Sequence, residues 1–77
     1  MMKTLVEHIA MALVDHPDDV RVSEHDDGHS LHIELSVHPD DMGKVIGKQG
    51  RTAKALRSVV YAAATKQKRR VRLDIID

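Results

Sequence analysis

A strict alternation of apolar and polar residues between positions 31 and 38 constrains this chain more than any other feature. Leucine, isoleucine or valine occupies every odd position of this stretch, and a polar residue occupies every even one. Because successive side chains of a strand point to opposite faces, the alternation predicts a half-buried β-strand. Other elements must cover the apolar face, so we expect a small layered domain.

Two longer segments predict amphipathic helices with one buried face. Residues 2–15 and 51–66 both place apolar side chains three or four positions apart. The residues predicted to be buried are Leu5, Val6, Ile9, Ala10 and Leu13 in the first helix, and Ala53, Leu56, Val59, Val60 and Ala63 in the second. A shorter helix is predicted up to Val45, where Asp40 or Asp41 can cap the first turn.

Two further strands complete the predicted fold. Residues 20–24 alternate weakly, residues 70–75 alternate clearly, and the Asp-Gly pair at 27–28 marks a hairpin turn. The predicted order is α-β-β-α-α-β, an α+β fold with a three-stranded sheet and helices packed on one face. Seventy-seven residues are expected to form one small domain, covering positions 1–77, with one modest core.

The composition favours the cytoplasm. The chain has no cysteine, which excludes a disulfide framework, and small secreted domains usually need such covalent staples. Its first residues lead directly into the amphipathic pattern, unlike the continuous apolar segment of a signal peptide. No apolar run approaches the roughly 20 residues needed to cross a bilayer, so no membrane contact is expected.

The charge is divided along the chain although its net value is zero. Residues 1–42 contain ten acidic and two basic side chains, giving −8, whereas residues 43–77 contain ten basic and two acidic ones, giving +8. Such asymmetry indicates a bipolar molecule whose basic side can meet a polyanion. The two halves could also attract each other within the fold, but the position of the bases around a glycine loop favours a partner.

The basic half begins at the motif VIGKQGR, positions 45–51. Glycine permits positive φ and close backbone approach, so a Gly-x-x-Gly turn between two helices can bring amide groups against a phosphate. Lys48 supplies a mobile positive charge, Gln49 a neutral donor and acceptor, and Arg51 a fork suited to phosphate oxygens. The motif therefore predicts a clamp for a phosphodiester backbone.

Other phosphate-binding and catalytic motifs fit poorly. A P-loop needs one more residue between Gly43 and Gly47, and it needs Ser or Thr where Gln49 stands. No Gly-x-Gly dinucleotide fingerprint and no nucleophile–base constellation occurs, so an enzyme is not predicted. The histidines of the hairpin region lack a cysteine or a tight pair at helical spacing, so neither a metal site nor a cofactor is predicted. These histidines are His25, His29, His32 and His38.

The motif at 45–51, lying between a short helix and a longer one, resembles the Ile-Gly-x-x-Gly signature of KH RNA-binding domains. A helix and two strands before the motif resemble the bacterial type II KH arrangement, and the likeness covers essentially the whole chain. A free-standing KH domain of this size is similar to the small bacterial KhpA family. The resemblance implies a cytoplasmic RNA chaperone that pairs with a larger KH protein, KhpB, and is linked to cell-wall homeostasis and cell length.

The resemblance also implies a site. A KH clamp holds about four single-stranded nucleotides by their backbone. The residues assigned to RNA binding are Lys44, Val45, Ile46, Gly47, Lys48, Gln49, Gly50, Arg51 and Lys54. The bases would lie on an aliphatic floor completed by Ala53 and Leu56, and their edges would meet the backbone of the strand at 31–38. KH domains often carry a larger aliphatic residue where this chain has Ala53.

Several of these residues also have a structural interpretation. Val45, Ile46 and Leu56 could be core residues, Ile46 most strongly, and the cations at the start of the long helix could form a solvated face. Tyr61, the only aromatic residue among Phe, Trp and Tyr, is interpreted as a packing or dimer contact. The remaining cations, interpreted as surface or edge protection in preference to RNA contacts, are Arg69, Arg70 and Arg72.

Binding of single-stranded RNA with little sequence preference is therefore the leading function. The absence of Phe and Trp argues against RNA-binding surfaces that stack bases on aromatic rings. Two alternatives stay open: a helix-turn-helix-like DNA-binding module, and a protein interaction module without RNA binding. A homodimer is also considered. A small domain with an alanine-rich helix, and with Tyr61 or Ile76 exposed, could bury more surface by self-association.

Overall fold

The computed structural model describes residues 2–76, so positions 1 and 77 of the predicted domain lie outside the described residues. The helices are α1 (Met2–Leu13), α2 (Met42–Ile46) and α3 (Arg51–Lys66), and the strands are β1 (Arg21–Asp26), β2 (Ser30–Ser36) and β3 (Arg70–Ile76). Short 3-10 turns cover Pro17–Asp19, Pro39–Asp41 and Lys48–Gly50. The order α-β-β-α-α-β confirms the predicted α+β fold class.

The three strands form one mixed sheet in the order β1-β2-β3, with β2 in the centre. β1 runs antiparallel to β2, and the Asp-Gly turn between them confirms the predicted hairpin. Gly28 has φ 91° in this turn, and Asp27 Oδ1 accepts hydrogen bonds from the amides of His29 and Ser30. β3 runs parallel to β2, so the chain must cross over the sheet between these strands through α2 and α3.

The core lies between one face of the sheet and the helices. The odd residues from Leu31 to Val37 are all buried, which confirms the alternation that predicted this strand. Leu73 of β3 and Val6 of α1 are buried in the same cluster. Burying a leucine or isoleucine side chain is worth about 1.5–3 kcal/mol, so the apolar face of β2 contributes strongly to the stability of the fold.

The buried faces of the helices differ in detail from the predicted ones. In α1 the buried residues are Met2, Val6 and Ala10, whereas Leu13 is 36% exposed, so its predicted burial is wrong. In α3 the predicted burial of Val59 is wrong, because this side chain is 48% exposed. Each long helix buries one narrow apolar strip against the sheet. The side of α1 that faces α3, and the side of α3 that faces α1, stay partly exposed to solvent on the surface away from the sheet. No helix within residues 2–76 combines the length and apolar character needed to cross a bilayer.

Candidate nucleic-acid interface

The loop between α2 and α3, residues 47–50 and hereafter the Gly loop, has an unusual backbone. Gly47, Gln49 and Gly50 have φ angles of 77°, 57° and 74°. Left-handed geometry costs a residue with a Cβ roughly 1–2 kcal/mol, so the surrounding turn, which the Gly50 amide closes on the Gly47 carbonyl, must hold Gln49 in place. Both glycines of the motif adopt the positive φ that glycine permits at little steric cost.

The two glycines meet different surroundings. A Cβ added to Gly47 would lie 2.2 Å from Thr52 Oγ1 and 2.8 Å from Thr52 N, so the chain itself leaves no room for a side chain there. A Cβ added to Gly50 would have no heavy atom within 4 Å. Gly47 is therefore required by internal packing, whereas the open side of Gly50 is the surface that another molecule can approach closely.

The amides of both glycines donate within the chain. The Gly47 N–H bonds the Gly43 carbonyl at 2.8 Å, and the Gly50 N–H bonds the Gly47 carbonyl at 3.2 Å. The main-chain amides that a phosphate could contact are therefore those of the residues between the glycines and those in the first turn of α3. The N-cap of this 16-residue helix is Gly50, which offers no capping side chain, and the first turn contains no acidic residue. The helix end is consequently positive and uncompensated.

Four predicted site residues are exposed around this helix end: Lys48, Gln49, Arg51 and Lys54. Within residues 2–76 the ion pairs formed by cations of the basic half involve only Lys44, Arg69 and Arg72. The charges of Lys48, Arg51 and Lys54 therefore face solvent without a compensating carboxylate. Attraction between the two halves of the chain accounts for a minority of the bases.

Lys44, the remaining predicted cation, is held by the acidic half. Its Nζ is hydrogen-bonded to Asp15 Oδ2 and lies 3.8 Å from Asp41 Oδ1. The hydrogen bond to Asp15 raises the pKa of Lys44, although partial desolvation opposes the shift. The structure thus joins Lys44 to the end of α1 and separates it from the free cations of the Gly loop.

The anchor of this network is a fully buried carboxylate, that of Asp41. Its oxygens accept hydrogen bonds from the Asp15 amide at 3.2 Å, the His16 amide at 2.9 Å and His16 Nδ1 at 2.9 Å. Burial by itself would raise the pKa of Asp41, but these hydrogen bonds hold it below its ordinary value. The prediction that an aspartate side chain caps α2 is wrong, because Asp41 precedes the helix but its side chain makes no capping hydrogen bond.

A histidine pair adjoins the network. The rings of His16 and His38 stack with centroids 4.1 Å apart, and Asp40 brings a carboxylate within 4.8 Å of their nitrogen atoms. His16 Nδ1 bonds Asp41, and His38 Nδ1 accepts the Asp40 amide at 3.0 Å. These hydrogen bonds explain why the two histidines and Asp40 lie together, and they hold the segment that precedes α2. Sequence reasoning missed it, because no local pattern relates His16 to residues more than twenty positions away.

The apolar part of the predicted site is divided between core and surface. Val45, Ala53 and Leu56 are buried, so they support the Gly loop from below. Ile46 is 38% exposed, which contradicts its interpretation as the strongest core residue and leaves its aliphatic surface available next to the loop.

The strand predicted to meet base edges is not accessible for that purpose. Residues 31–36 of β2 are paired with β1 on one side and with β3 on the other, so their backbone groups serve the sheet. The prediction that base edges meet the backbone of the strand at 31–38 is therefore wrong for residues 31–36. The open edge beside α3 is that of β3, where Arg57 Nε donates to the Leu73 carbonyl at 3.1 Å.

A separate apolar surface lies between α1 and α3. It encloses a shallow pocket with a volume of about 210 Å³. The residues that line it are Ile9, Leu13, Thr52, Ala55, Leu56 and Val59. Tyr61 and Ile76, the two residues considered for a dimer contact, are 41% and 42% exposed but do not line this pocket.

Known proteins match this chain over nearly its whole length. Residues 3–75 match the family model described as KhpA/KhpB, KH domain. RNA-binding protein KhpA of Clostridium acetobutylicum is 59% identical over 75 residues, covering 97% of this chain and all of the relative. RNA-binding protein KhpA of Bacillus subtilis is 49% identical over 76 residues, covering 99% of this chain and 94% of the relative.

Two solved structures share the fold. Era in complex with MgGDPNP and nucleotides 1506–1542 of 16S ribosomal RNA matches 96% of this chain with a TM-score of 0.65 and 22% identity. A variant of Aquifex aeolicus Era bound to GDP.AlF4- matches 96% of this chain with a TM-score of 0.67 and 20% identity. The match covers 28% and 29% of those chains. These two structures show the fold, whereas the family model and the full-length relatives show that the chain belongs to the KhpA/KhpB KH-domain family.

Proposed function

We propose that this chain binds single-stranded RNA with little sequence preference. The observation that carries the proposal is the Gly loop: three residues with positive φ at an uncapped helix end, flanked by exposed and unpaired cations. This arrangement suits an extended sugar–phosphate strand, because it offers positive charge and close backbone approach together. Relatives that match this chain over nearly its whole length carry the name RNA-binding protein, which supports the same function here.

The proposed roles of the site residues follow from their exposure. Lys48, Gln49, Arg51 and Lys54 contact phosphate oxygens, and the open side of Gly50 lets the strand lie close. Ile46 offers an aliphatic surface to a base. The other assigned residues act indirectly: Val45 and Gly47 shape the loop, and Lys44 helps to fix α2. Since phosphate contacts carry no sequence information, such a site favours loosely specific binding.

In the cell we propose that the protein is a cytoplasmic RNA chaperone that acts with a KhpB-like KH protein. The link to cell-wall homeostasis and cell length belongs to the same proposal. Its support is membership of a family whose model covers both KhpA and KhpB domains. Weak, sequence-tolerant contacts suit a chaperone, because an RNA strand must be released as readily as it is bound.

Charge reversal in the Gly loop tests the proposed site. Replacing Lys48 and Gln49 with aspartate, as Lys48→Asp and Gln49→Asp together, sets two negative charges against the phosphates. Both side chains are exposed, and aspartate tolerates left-handed backbone better than most residues, so the fold should persist. We expect affinity for single-stranded RNA to fall about tenfold or more at moderate salt, because electrostatic contacts dominate such binding.

A matched control separates this effect from net charge. Lys3→Asp with His8→Asp also replaces one lysine and one other polar residue by aspartate, at exposed positions of α1. This variant should leave RNA binding almost unchanged. RNA affinity that survives the loop substitutions would refute the proposed clamp. Preference for duplex DNA over single-stranded RNA in competition would instead favour a helix-turn-helix-like module.

We also propose that a second copy of this chain covers the apolar surface between α1 and α3. The exposed side chains of Leu13 and Val59 border the pocket there, and an isologous contact would bury both on each protomer. A KhpB-like domain is the competing occupant, and the association experiment in the Discussion distinguishes the two.

A further inference from the structure

We propose that α3 carries a second RNA contact that extends the strand held by the Gly loop. This α3 track consists of Arg51, Lys54, Ser58, Tyr61 and Thr65. It rests on the RNA binding proposed above and adds to that function a binding surface on the exposed side of the helix. The track leads away from the Gly loop toward Lys68, beyond the end of α3.

The spacing of the α3 track places its members in one stripe. Successive members are three, four, three and four positions apart, which at 3.6 residues per turn confines them to roughly 80° of the helix circumference. All five side chains are exposed. One flank of the stripe adjoins Arg57, which bonds the edge strand β3, and the apolar pocket lies on the other side of the helix. The stripe therefore borders the Gly loop and the open sheet edge on one surface.

The electrostatics of this surface favour a polyanion along its whole length. No aspartate or glutamate occurs between positions 42 and 73, so α3 and the residues beside it in the sequence carry no negative side chain. Lys54 lies near the start of the stripe, and Lys68 is exposed at its far end with φ 56°. Among the described residues neither of these lysines takes part in an ion pair.

Tyr61 gives the α3 track a chemistry that a simple basic patch lacks. Its side chain is 41% exposed, so the interpretation of Tyr61 as a packed residue is not supported. Ser58 Oγ and Thr65 Oγ1, one turn to either side, each donate at 3.0 Å to a carbonyl of the preceding turn. Small neighbours of this kind leave the ring open, and an exposed aromatic face stacks any base.

The length of the track sets the expected footprint. From Arg51 to Thr65 the helix rises about 21 Å at 1.5 Å per residue. At roughly 3.4 Å per stacked nucleotide this distance accommodates about six nucleotides. The Gly loop holds about four, and Arg51 and Lys54 belong to both surfaces, so a strand that engages both would span roughly eight to ten.

Binding of uridine oligonucleotides of four, six, eight and ten residues tests the proposal. Wild-type affinity should rise about tenfold between the tetramer and the decamer, in keeping with one stacked base and one further phosphate contact. The variant Tyr61→Ala with Lys68→Gln should lose this gain while keeping the tetramer affinity. Met11→Ala with Lys3→Gln, on α1, is the matched control, because Met11 is also 41% exposed, and should keep the gain.

Two further variants show which part of the proposal fails if the expected result is not obtained. Tyr61→Phe retains the ring and should retain the gain with length; if it does not, stacking on residue 61 is refuted. If the Tyr61→Ala, Lys68→Gln variant keeps the full gain, the α3 track is refuted even when the loop variant Lys48→Asp, Gln49→Asp no longer binds the decamer. Absence of decamer binding by the wild-type chain would refute the proposed function itself, so the two failures are distinguishable.

Discussion

Gly47 and Gly50 are the residues on which the site depends, and they are required for different reasons. Gly47 has φ 77° and ψ 173°, a combination that is almost restricted to glycine, and Thr52 fills the space where its Cβ would stand. Gly50 has φ 74° and ψ 14°, the left-handed helical region, and faces open space. One glycine is thus a requirement of folding, whereas the other leaves room for a partner.

Alanine substitutions should separate these two roles. Gly47→Ala should lower the free energy of unfolding by roughly 2 kcal/mol or more, since backbone strain of 1–3 kcal/mol is added to a steric overlap. Gly50→Ala should cost only about 1–2 kcal/mol and leave the fold intact, but it should weaken RNA binding by placing a methyl group against the strand. Urea denaturation and RNA titration of both variants provide the measurements.

Gly43→Ala is the control for this pair, because a Cβ there would meet no atom within 4 Å and its φ is not positive. It should leave RNA binding unchanged and raise the free energy of unfolding slightly, by about 0.5–1 kcal/mol, because Gly43 lies within α2 and alanine favours a helix. Equal losses of stability in the Gly47 and Gly50 variants would contradict the assigned roles.

At the scale of elements, α2 cannot be stable by itself. It has five residues, and helices this short do not form without tertiary support. That support comes from Asp41, which precedes α2 and binds the end of α1, and from Lys44 on the helix itself, which binds Asp15. The Gly loop follows α2 directly, so the network that fixes this helix also fixes the loop.

The network should make stability depend on pH. The hydrogen bond to the Asp41 side chain raises the pKa of His16 above its ordinary value of 6.5, so the folded state favours the protonated ring. This contribution is fully present below about pH 6.5 and is lost as the pH rises through the raised pKa. The lowered pKa of Asp41 has the opposite dependence: its contribution is present above 3.8 and is lost as the pH falls through the lowered value.

Urea midpoints measured at pH 5.5 and pH 8 test this prediction. Wild type should lose stability between these values, and His16→Gln, which can still donate to Asp41 but does not titrate, should lose less. His8→Gln, on an exposed position of α1, should behave like wild type. An unchanged pH dependence in His16→Gln would show that the ring does not titrate against Asp41.

Local patterns predicted the elements well, and long-range contacts explain what they missed. The alternation at 31–38 and the alanine-rich run at 51–66 gave β2 and α3, because each depends on the periodicity of one segment. The Gly loop was predicted because a short motif carries it. The role of Asp41 could not be predicted, since its partners Asp15 and His16 lie more than twenty positions away.

The side of a helix that stays open is likewise decided by its neighbours. Val59 fits the apolar stripe of α3, yet it is exposed because α1 does not reach far enough to cover it. Ile46 was assigned to the core on its chemistry alone, and the position of the short helix leaves it outside. The backbone pairing of β2 on both sides followed from the mixed topology, which the order of elements does not determine.

At the scale of the whole molecule, the exposed apolar surface between α1 and α3 should govern association. Val59→Asp places a charge beside the pocket, where it would be buried without a partner in any contact through this surface. We expect sedimentation equilibrium to show a dimer for wild type and a monomer for the variant, with unchanged circular dichroism. Because the Val59 side chain is exposed in the single chain, the substitution should not unfold the protein. Loss of the dimer would therefore report loss of the contact through this surface.

Glu24→Asp is a conservative control on the exposed strand β1 and should not alter association. A wild-type chain that is monomeric alone, and that forms a Val59-dependent complex only with a KhpB-like protein, would assign the surface to that partner. A dimer that survives Val59→Asp would refute the assignment of this surface.

The mixed sheet also has a consequence for how the chain is made. β2 meets β1 through a tight turn, but Ile33 pairs with Leu73, forty residues later. A ribosome adds 5–20 residues per second, so the central strand would wait roughly two to eight seconds for its second neighbour. During that interval one edge of the most deeply buried strand is unpaired and prone to aggregation. Nascent chains stalled before β3 should therefore be the ones that recruit chaperones.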